Sequence, residues 1–235
     1  MQNMKEYEKI AGFPNVWGAI DGTHVNVVVP AEHRTIFYDR KSNTSLNLQV
    51  VVGPDMRIID LVNRWPGSVH DSRIFLCSRL NRDLLQCPPP GHMLGDAGYA
   101  CLPFLMTPLR HSKIKEFTPA EAAYQKTHIR TRNLIERTFG AWKAKFQCLK
   151  GMRLKLSTTM NVISACAVIW NFLLAEKDAL SADELAAEEN DGHEDSDAGS
   201  SETELVSWQN MLSSAGKSKR DALIRSYFQS LVSEN

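Results

Sequence analysis

The chain has 235 residues, 43% hydrophobic and 23% charged, enough for one domain with a full core plus a tail. No apolar run is expected to span a membrane, and the start, Met1 to Glu8, holds no apolar signal core. The formal net charge of zero hides an asymmetry: residues 1–178 carry 23 Lys and Arg against 15 Asp and Glu, whereas residues 179–204 carry ten acids and no base. A basic body suggests an anionic partner, although basic surfaces are also common in proteins that bind no nucleic acid. Five cysteines, at 77, 87, 101, 148 and 166, form no CxxC pair and read as reduced thiols with no zinc site. Cys148 and Cys166 fall in apolar helical patterns and read as packing residues.

Residues 1–13 are a polar lead, the end of a helix. Val16 to Val29 then reads as a buried strand, β-branched and apolar, bounded by Pro14 and Pro30. One acid, Asp21, sits inside it. A carboxylate within a core strand is costly unless something compensates its charge. Gly22 follows, and its missing side chain lets another group approach the backbone. Two readings stand at this point: a bulge with a solvated acid, or a metal ligand on a central strand.

Arg34 to Ser42 is a basic, aromatic loop. Leu46–Val52 and Arg57–Val62 are strand-like and should pair as a hairpin across Gly53-Pro54-Asp55. A helix is expected to open with Ser68 as its cap and Asp71 three positions on, with Ile74, Phe75 and Leu80 as its apolar face. Cys87-Pro88-Pro89-Pro90-Gly91 breaks the chain. His92 to Asp96 is a short strand ending in an acid, with a turn at Gly98, and residues 102–122 should be mostly loop. A long helix fits Ala120 to Leu149, because Ile135, Phe139, Trp142, Phe146 and Leu149 recur every three to four residues. A second helix over 158–178 is apolar enough to be buried on most sides. Residues 179–204 read as disordered. A last amphipathic helix is expected from about Ser218 to Val232, with Leu223, Tyr227, Phe228 and Leu231 on one side. This is a mixed α/β order without regular βαβ alternation, internal repeat or glycine-rich phosphate loop.

Three carboxylates stand out: Asp21, Asp96 and Glu136. Glu136 follows the stripe residue Ile135, which sets it at the edge of the buried face, with Arg132, Gly140 and Lys143 at helical spacing on its side. Gly140 costs the helix about 1 kcal/mol relative to alanine and leaves room for a ligand. Converging carboxylates repel, and a divalent ion relieves the repulsion; oxygen ligands suit Mg²⁺ or Mn²⁺. Two such ions about 4 Å apart can activate water and stabilise the leaving oxygen of a phosphodiester. Arg132, Lys143 and Lys145 are candidate phosphate contacts, and a solvated helix face explains them almost as well. For His70 and Asp71, helix capping and a supporting role behind the acids stand side by side.

The runs Gly18-Ala19-Ile20-Asp21-Gly22-Thr23-His24, Gly67-Ser68-Val69-His70-Asp71-Ser72-Arg73-Ile74-Phe75, Gly95-Asp96-Ala97-Gly98-Tyr99 and Ile135-Glu136-Arg137-Thr138-Phe139-Gly140 occur in that order. Together they resemble the DDE catalytic domain of PIF/Harbinger transposases and the nucleases derived from them. The resemblance covers about residues 11–178 and implies an α/β, RNase H-like fold: a mixed sheet flanked by helices, followed by an acidic disordered linker (179–217) and a C-terminal helix (218–235). It implies Asp21, Asp96 and Glu136 as the catalytic, metal-binding triad, with Mg²⁺ or Mn²⁺ as cofactor and DNA as substrate. His24 and Thr107-Pro108-Leu109 also match. His24 should not share Asp21's face of the strand, and Thr107-Pro108-Leu109 reads as loop shape. Family proteins carry a helix-turn-helix region before this domain, whereas about ten residues precede Phe13. Either the chain is a partial gene product or sequence recognition comes from a partner, in this family a Myb-like DNA-binding protein; the nucleus is the expected compartment, with the cytoplasm second. The competing reading is a domesticated, non-catalytic nuclear protein that binds DNA or a partner.

Overall fold

A computed structural model describes residues 2–110, 116–176 and 203–233. Six strands form a mixed sheet: β1 (Val16–Val27), β2 (Ser45–Val52), β3 (Ile58–Pro66), β4 (His92–Leu94), β5 (Leu105–Met106) and β6 (Gly151–Met152), in the order β3-β2-β1-β4-β5 with β6 beside β1. Helices flank it, so the fold class is the α/β, RNase H-like one. The described residues cluster into two compact units: one from 1–18, 87–133 and 191–235, the other from 19–86 and 134–190.

In the second unit β1 pairs antiparallel with β2, setting Asp21 opposite Val50, Gly22 opposite Gln49 and His24 opposite Asn47. The expected hairpin is present. Gly53 N–H donates to Arg57 O at 2.8 Å, and Met56 takes a left-handed φ of 65° to close the turn. Every residue of β2 is buried, although Ser45, Asn47 and Gln49 alternate with Leu46, Leu48 and Val50. The helix α6 (Leu156–Ala175) docks on β3 through polar ties. The Asn171 amide bonds both Ile58 N–H and Ile58 O at 2.8 Å, and Asn63 Nδ2 donates to Met160 O at 2.7 Å. Because β3 ends the strand order, the Asn171 pair covers backbone that an edge strand leaves open.

The sequence suggested that α6 would be buried on most sides, but one face alone is covered. Ile163 and Trp170 are fully buried, while Val168 and Phe172 are 69% and 62% exposed. By length and composition α6 could also cross a membrane, contrary to the expectation that no run would. Its bonds to Ile58, Asn63 and Met56 are those of a helix packed on a sheet.

The first unit holds α1 (Gln2–Ala11), the start of β1, β4, β5, the first half of α5 (Pro119–Lys145) and α7 (Thr203–Leu223). Its centre is Phe13, fully buried, with the rings of His92, Tyr124, His128 and Phe228 at 5.7, 5.3, 5.8 and 5.5 Å. Phe228 comes from a π-helical turn, Ile224–Phe228, that follows α7. The described part of residues 102–122 is mostly loop, as expected, and holds the two-residue β5, which pairs with β4 through Met93–Leu105 and Leu94–Met106. Two sequence expectations need correction. The C-terminal helix begins at Thr203, not near 218. The opening helix of residues 1–13 is a full ten residues. Of the linker expected to be disordered over 179–217, residues 203–217 are helical and residues 179–202 lie outside the described residues.

Burial pushes the imidazoles of His92 and His128 from 6.5 down to about 3, with smaller contributions from nearby cations including Lys219 and Arg132. Both rings are therefore neutral in the fold, whereas in the unfolded chain they protonate below about pH 6.5. Stability contributed this way is present above the unfolded pKa and is lost as pH falls from about 6.5 towards 3, by about 1.4 kcal/mol per pH unit per ring at most. The expected result is a thermal midpoint that drops between pH 7 and pH 4, with ring ¹⁵N shifts of residues 92 and 128 still neutral at pH 5. Imidazolium shifts at pH 5 in the folded protein would contradict it.

Candidate active site

Asp21 lies on the central strand and is 4% exposed. Its Oδ1 accepts the Gly22 N–H at 2.9 Å. The group that Gly22 admits is Asp71: a Cβ on residue 22 would meet both Asp71 carboxylate oxygens at 2.5 Å. Asn47 Nδ2 holds that carboxylate at 2.7 Å and also donates to Val69 O at 2.8 Å. Successive strand side chains alternate, so Asp71 rests on the face of β1 opposite to Asp21. His24 is on the Asp71 face, as expected, with Nδ1 2.9 Å from Ser45 Oγ.

The helix carrying Asp71, α3 (Asp71–Leu76), starts two residues later than the sequence suggested. Ser68 does not cap it. The Ser68 hydroxyl donates instead to Ile36 O at 2.6 Å, and the residue before the helix is the exposed His70, whose side chain makes no capping bond. In the sequence the polar ladder Ser45, Asn47, Gln49 reads as plain strand; its signal is the alternation of polar residues within Ser45-Leu46-Asn47-Leu48-Gln49. Gln49 is fully buried, and among the described residues neither of its amide atoms has a hydrogen-bond partner.

Glu136 is exposed on α5. Seven residues on, Lys143 Nζ donates to His24 O at 2.8 Å and ties α5 to β1. Lys145 is exposed and Arg132 half-buried. Of the stripe, Ile135, Trp142 and Leu149 are fully buried and Phe139 and Phe146 half-buried. Cys148, expected to pack, is exposed, although its Sγ lies 3.9 Å from that of the buried Cys166. Asp96 stands two residues beyond β4, where its Oδ1 accepts the Gly98 N–H at 3.0 Å. Asp21, Asp71, Glu136 and Lys143 thus belong to one compact unit and Asp96 to the other. Among the described residues no three His, Cys, Asp or Glu side chains are gathered as a ligand set for an ion.

A mixed sheet flanked by helices, with a buried acid on its central strand and a second acid after a short strand, defines an RNase H-like α/β protein of the DDE class. The chain belongs to the DDE superfamily endonucleases, the family that matches residues 20–171, and is of Harbinger-transposase descent. It is similar to "Putative nuclease HARBI1" of Rattus norvegicus, with 32% identity over 180 residues, 74% of this chain and 50% of that protein. The Homo sapiens protein of the same name is 32% identical over 174 residues, 72% of this chain and 49% of its own length. "Protein ALP1-like" of Arabidopsis thaliana is 27% identical over 204 residues, 79% of this chain and 50% of its own. The chain spans about half the length of the curated relatives it matches. No solved structure matches.

The contact at Gly22 is open to a direct test. Gly22→Ala drives a methyl group into the Asp71 carboxylate and should destabilise the fold by about 1–3 kcal/mol in chemical denaturation. Asp71→Ala removes the obstacle, so the double variant should lose less than the sum of the two single changes. Strict additivity would show that the two residues do not touch.

Proposed function

We propose that the chain carries the catalytic domain of a divalent-metal-dependent DNA endonuclease of transposase descent, which hydrolyses phosphodiester bonds by a two-metal mechanism with Asp21, Asp96 and Glu136 as metal ligands. The observation that carries this reading is Asp21, a carboxylate almost wholly out of water on the central strand of the matched domain. Such burial is stable when a cation compensates the charge. Carboxylates are hard oxygen donors, so the donor set fits Mg²⁺ or Mn²⁺.

The spacing within the second unit supports Glu136 as a companion of Asp21. Lys143 anchors α5 at His24. Glu136 lies seven helical residues before that anchor, about 10 Å, and Asp21 lies three strand residues before it, also about 10 Å. Measured along their own elements from that anchor, the two acids lie at about equal distances. In both proposed aspartate ligands a peptide N–H holds one carboxylate oxygen: Gly22 for Asp21 and Gly98 for Asp96. These bonds fix the direction of each carboxylate before any ligand arrives. When bound, the ions would polarise the phosphoryl group, activate water and stabilise the leaving oxygen. Arg132 and Lys145 would contact phosphates. In this reading the protein works in the nucleus, and a Myb-like partner supplies sequence preference.

Asp96→Asn tests the reading. The amide keeps the size of the acid and removes the charge that holds a hard cation. Nicking of supercoiled DNA should require Mg²⁺ or Mn²⁺ in the wild type and fall to background in the variant, with the circular dichroism spectrum unchanged. Equal nicking by both proteins would overturn the assignment.

A further inference from the structure

The turn after β1 and the first turn of α6 enclose an open groove of about 750 Å³ in the second unit. Its walls follow from the strand pairing. β6 runs parallel to the end of β1, through Asn26–Gly151 and Val27–Met152, so Arg153, Leu154 and Lys155 leave the sheet beside Val28. On the other side the chain turns at Pro30 into a 3₁₀ turn that ends at His33. The groove therefore carries two fixed cations, Arg153 and Lys155, and an imidazole, and none of its described lining residues is an acid. The same lining offers apolar surface: Val28 is 57% exposed and Leu154 44% exposed.

We propose that this groove binds the sugar–phosphate backbone of the DNA substrate at a distance from the cut bond; the proposal rests on the endonuclease reading above. An enclosed polar cage would suit a small anion. An open groove that alternates cations with apolar side chains suits an extended polyanion, with phosphates on Arg153 and Lys155 and deoxyribose faces against Val28 and Leu154. The position is fixed by β1 itself. Val27 ends the strand six residues beyond Asp21, about 20 Å at the usual strand rise. DNA advances about 3.4 Å per base pair, so the contact falls at most about six base pairs from a bond cut at Asp21.

The test is binding of a 30-base-pair duplex by the full chain between 50 and 200 mM salt, for wild type, R153A/K155A, the charge-keeping exchange R153K/K155R, and R79A/R82A on a separate helix. Each lost phosphate contact removes about 0.9 from the slope of log affinity against log salt. R153A/K155A should therefore lower the slope by about two and weaken binding at least tenfold at 100 mM salt. R153K/K155R should restore both, and R79A/R82A should leave the slope as in wild type. A wild-type slope in R153A/K155A, or an equal loss in R79A/R82A, would overturn the groove while leaving the endonuclease reading intact. A wild type that binds through the groove but does not nick would remove the nuclease reading and keep the groove. A wild type that binds no DNA would remove both.

Discussion

The Asp71 carboxylate rests on the backbone of Gly22, and the geometry around Asp21 depends on that contact. Two acids meet one strand at adjacent residues from opposite faces, where any side chain on residue 22 would separate Asp71 from β1. Asn47 holds Asp71 from β2, so the contact ties three elements, β1, β2 and α3, to a single point. Its surroundings are polar beyond what a buried strand favours. Ser45, Asn47 and Gln49 occupy one face of β2, and the partnerless amide of Gln49 carries a desolvation penalty of about 1–3 kcal/mol. The opposite face, Leu46, Leu48 and Val50, offsets it by burying three aliphatic side chains, each about 1.5–3 kcal/mol in transfer terms. Asp21, opposite Val50, thus shares the apolar face of β2, while Asp71 and His24 share the polar one.

Glycine has a second use in the candidate site. Gly22 and Gly98 each turn a peptide N–H onto the carboxylate of a preceding aspartate, one residue away for Asp21 and two for Asp96. At residue 98 a Cβ would come within 3.2 Å of that carboxylate, which would have to give by a few tenths of an ångström. An acid on a strand and an acid in a loop are thereby aimed by the same local device. Groups aimed in advance need no reordering when a ligand binds, which is the economy that preorganised sites rely on.

How much of this was readable in the sequence depended on the range of the interaction. β1, the β2–β3 hairpin and the α5 stripe were legible because periodicity and turn chemistry are local. Asp21 stood out because an acid in an apolar run is anomalous, and Gly22 advertised a close approach. What approached was not legible, since Asp71 lies 49 positions further along the chain. The start of α3 moved because Ser68 found an acceptor at Ile36, a tertiary partner that outcompetes capping. β5 is two residues long and is defined by its pairing with β4, with no period to detect. The exposed side of α6 was hidden because composition reports how apolar a helix is, and not which of its faces finds a partner.

The family match ends at residue 171, yet the strand before Asp96 is supported from well beyond it. Lys219 Nζ donates to Gly91 O and Pro103 O, just outside the ends of β4 and β5, and Arg220 Nη1 donates to Pro108 O at 3.1 Å beyond β5. Gly216 packs directly on the Cys101 carbonyl, where a Cβ would collide. Phe228 completes the ring cluster on Phe13, and the Tyr227 hydroxyl closes on Gly12 O at 3.1 Å. A two-residue strand and a three-residue strand bury too little to hold their own geometry. The cations of α7 supply what the short strands lack, donors for the carbonyls at their ends. The short strands before and beside Asp96 are therefore tied at their ends by residues outside the matched domain, and the C-terminal helix is part of the structural support of β4 and β5.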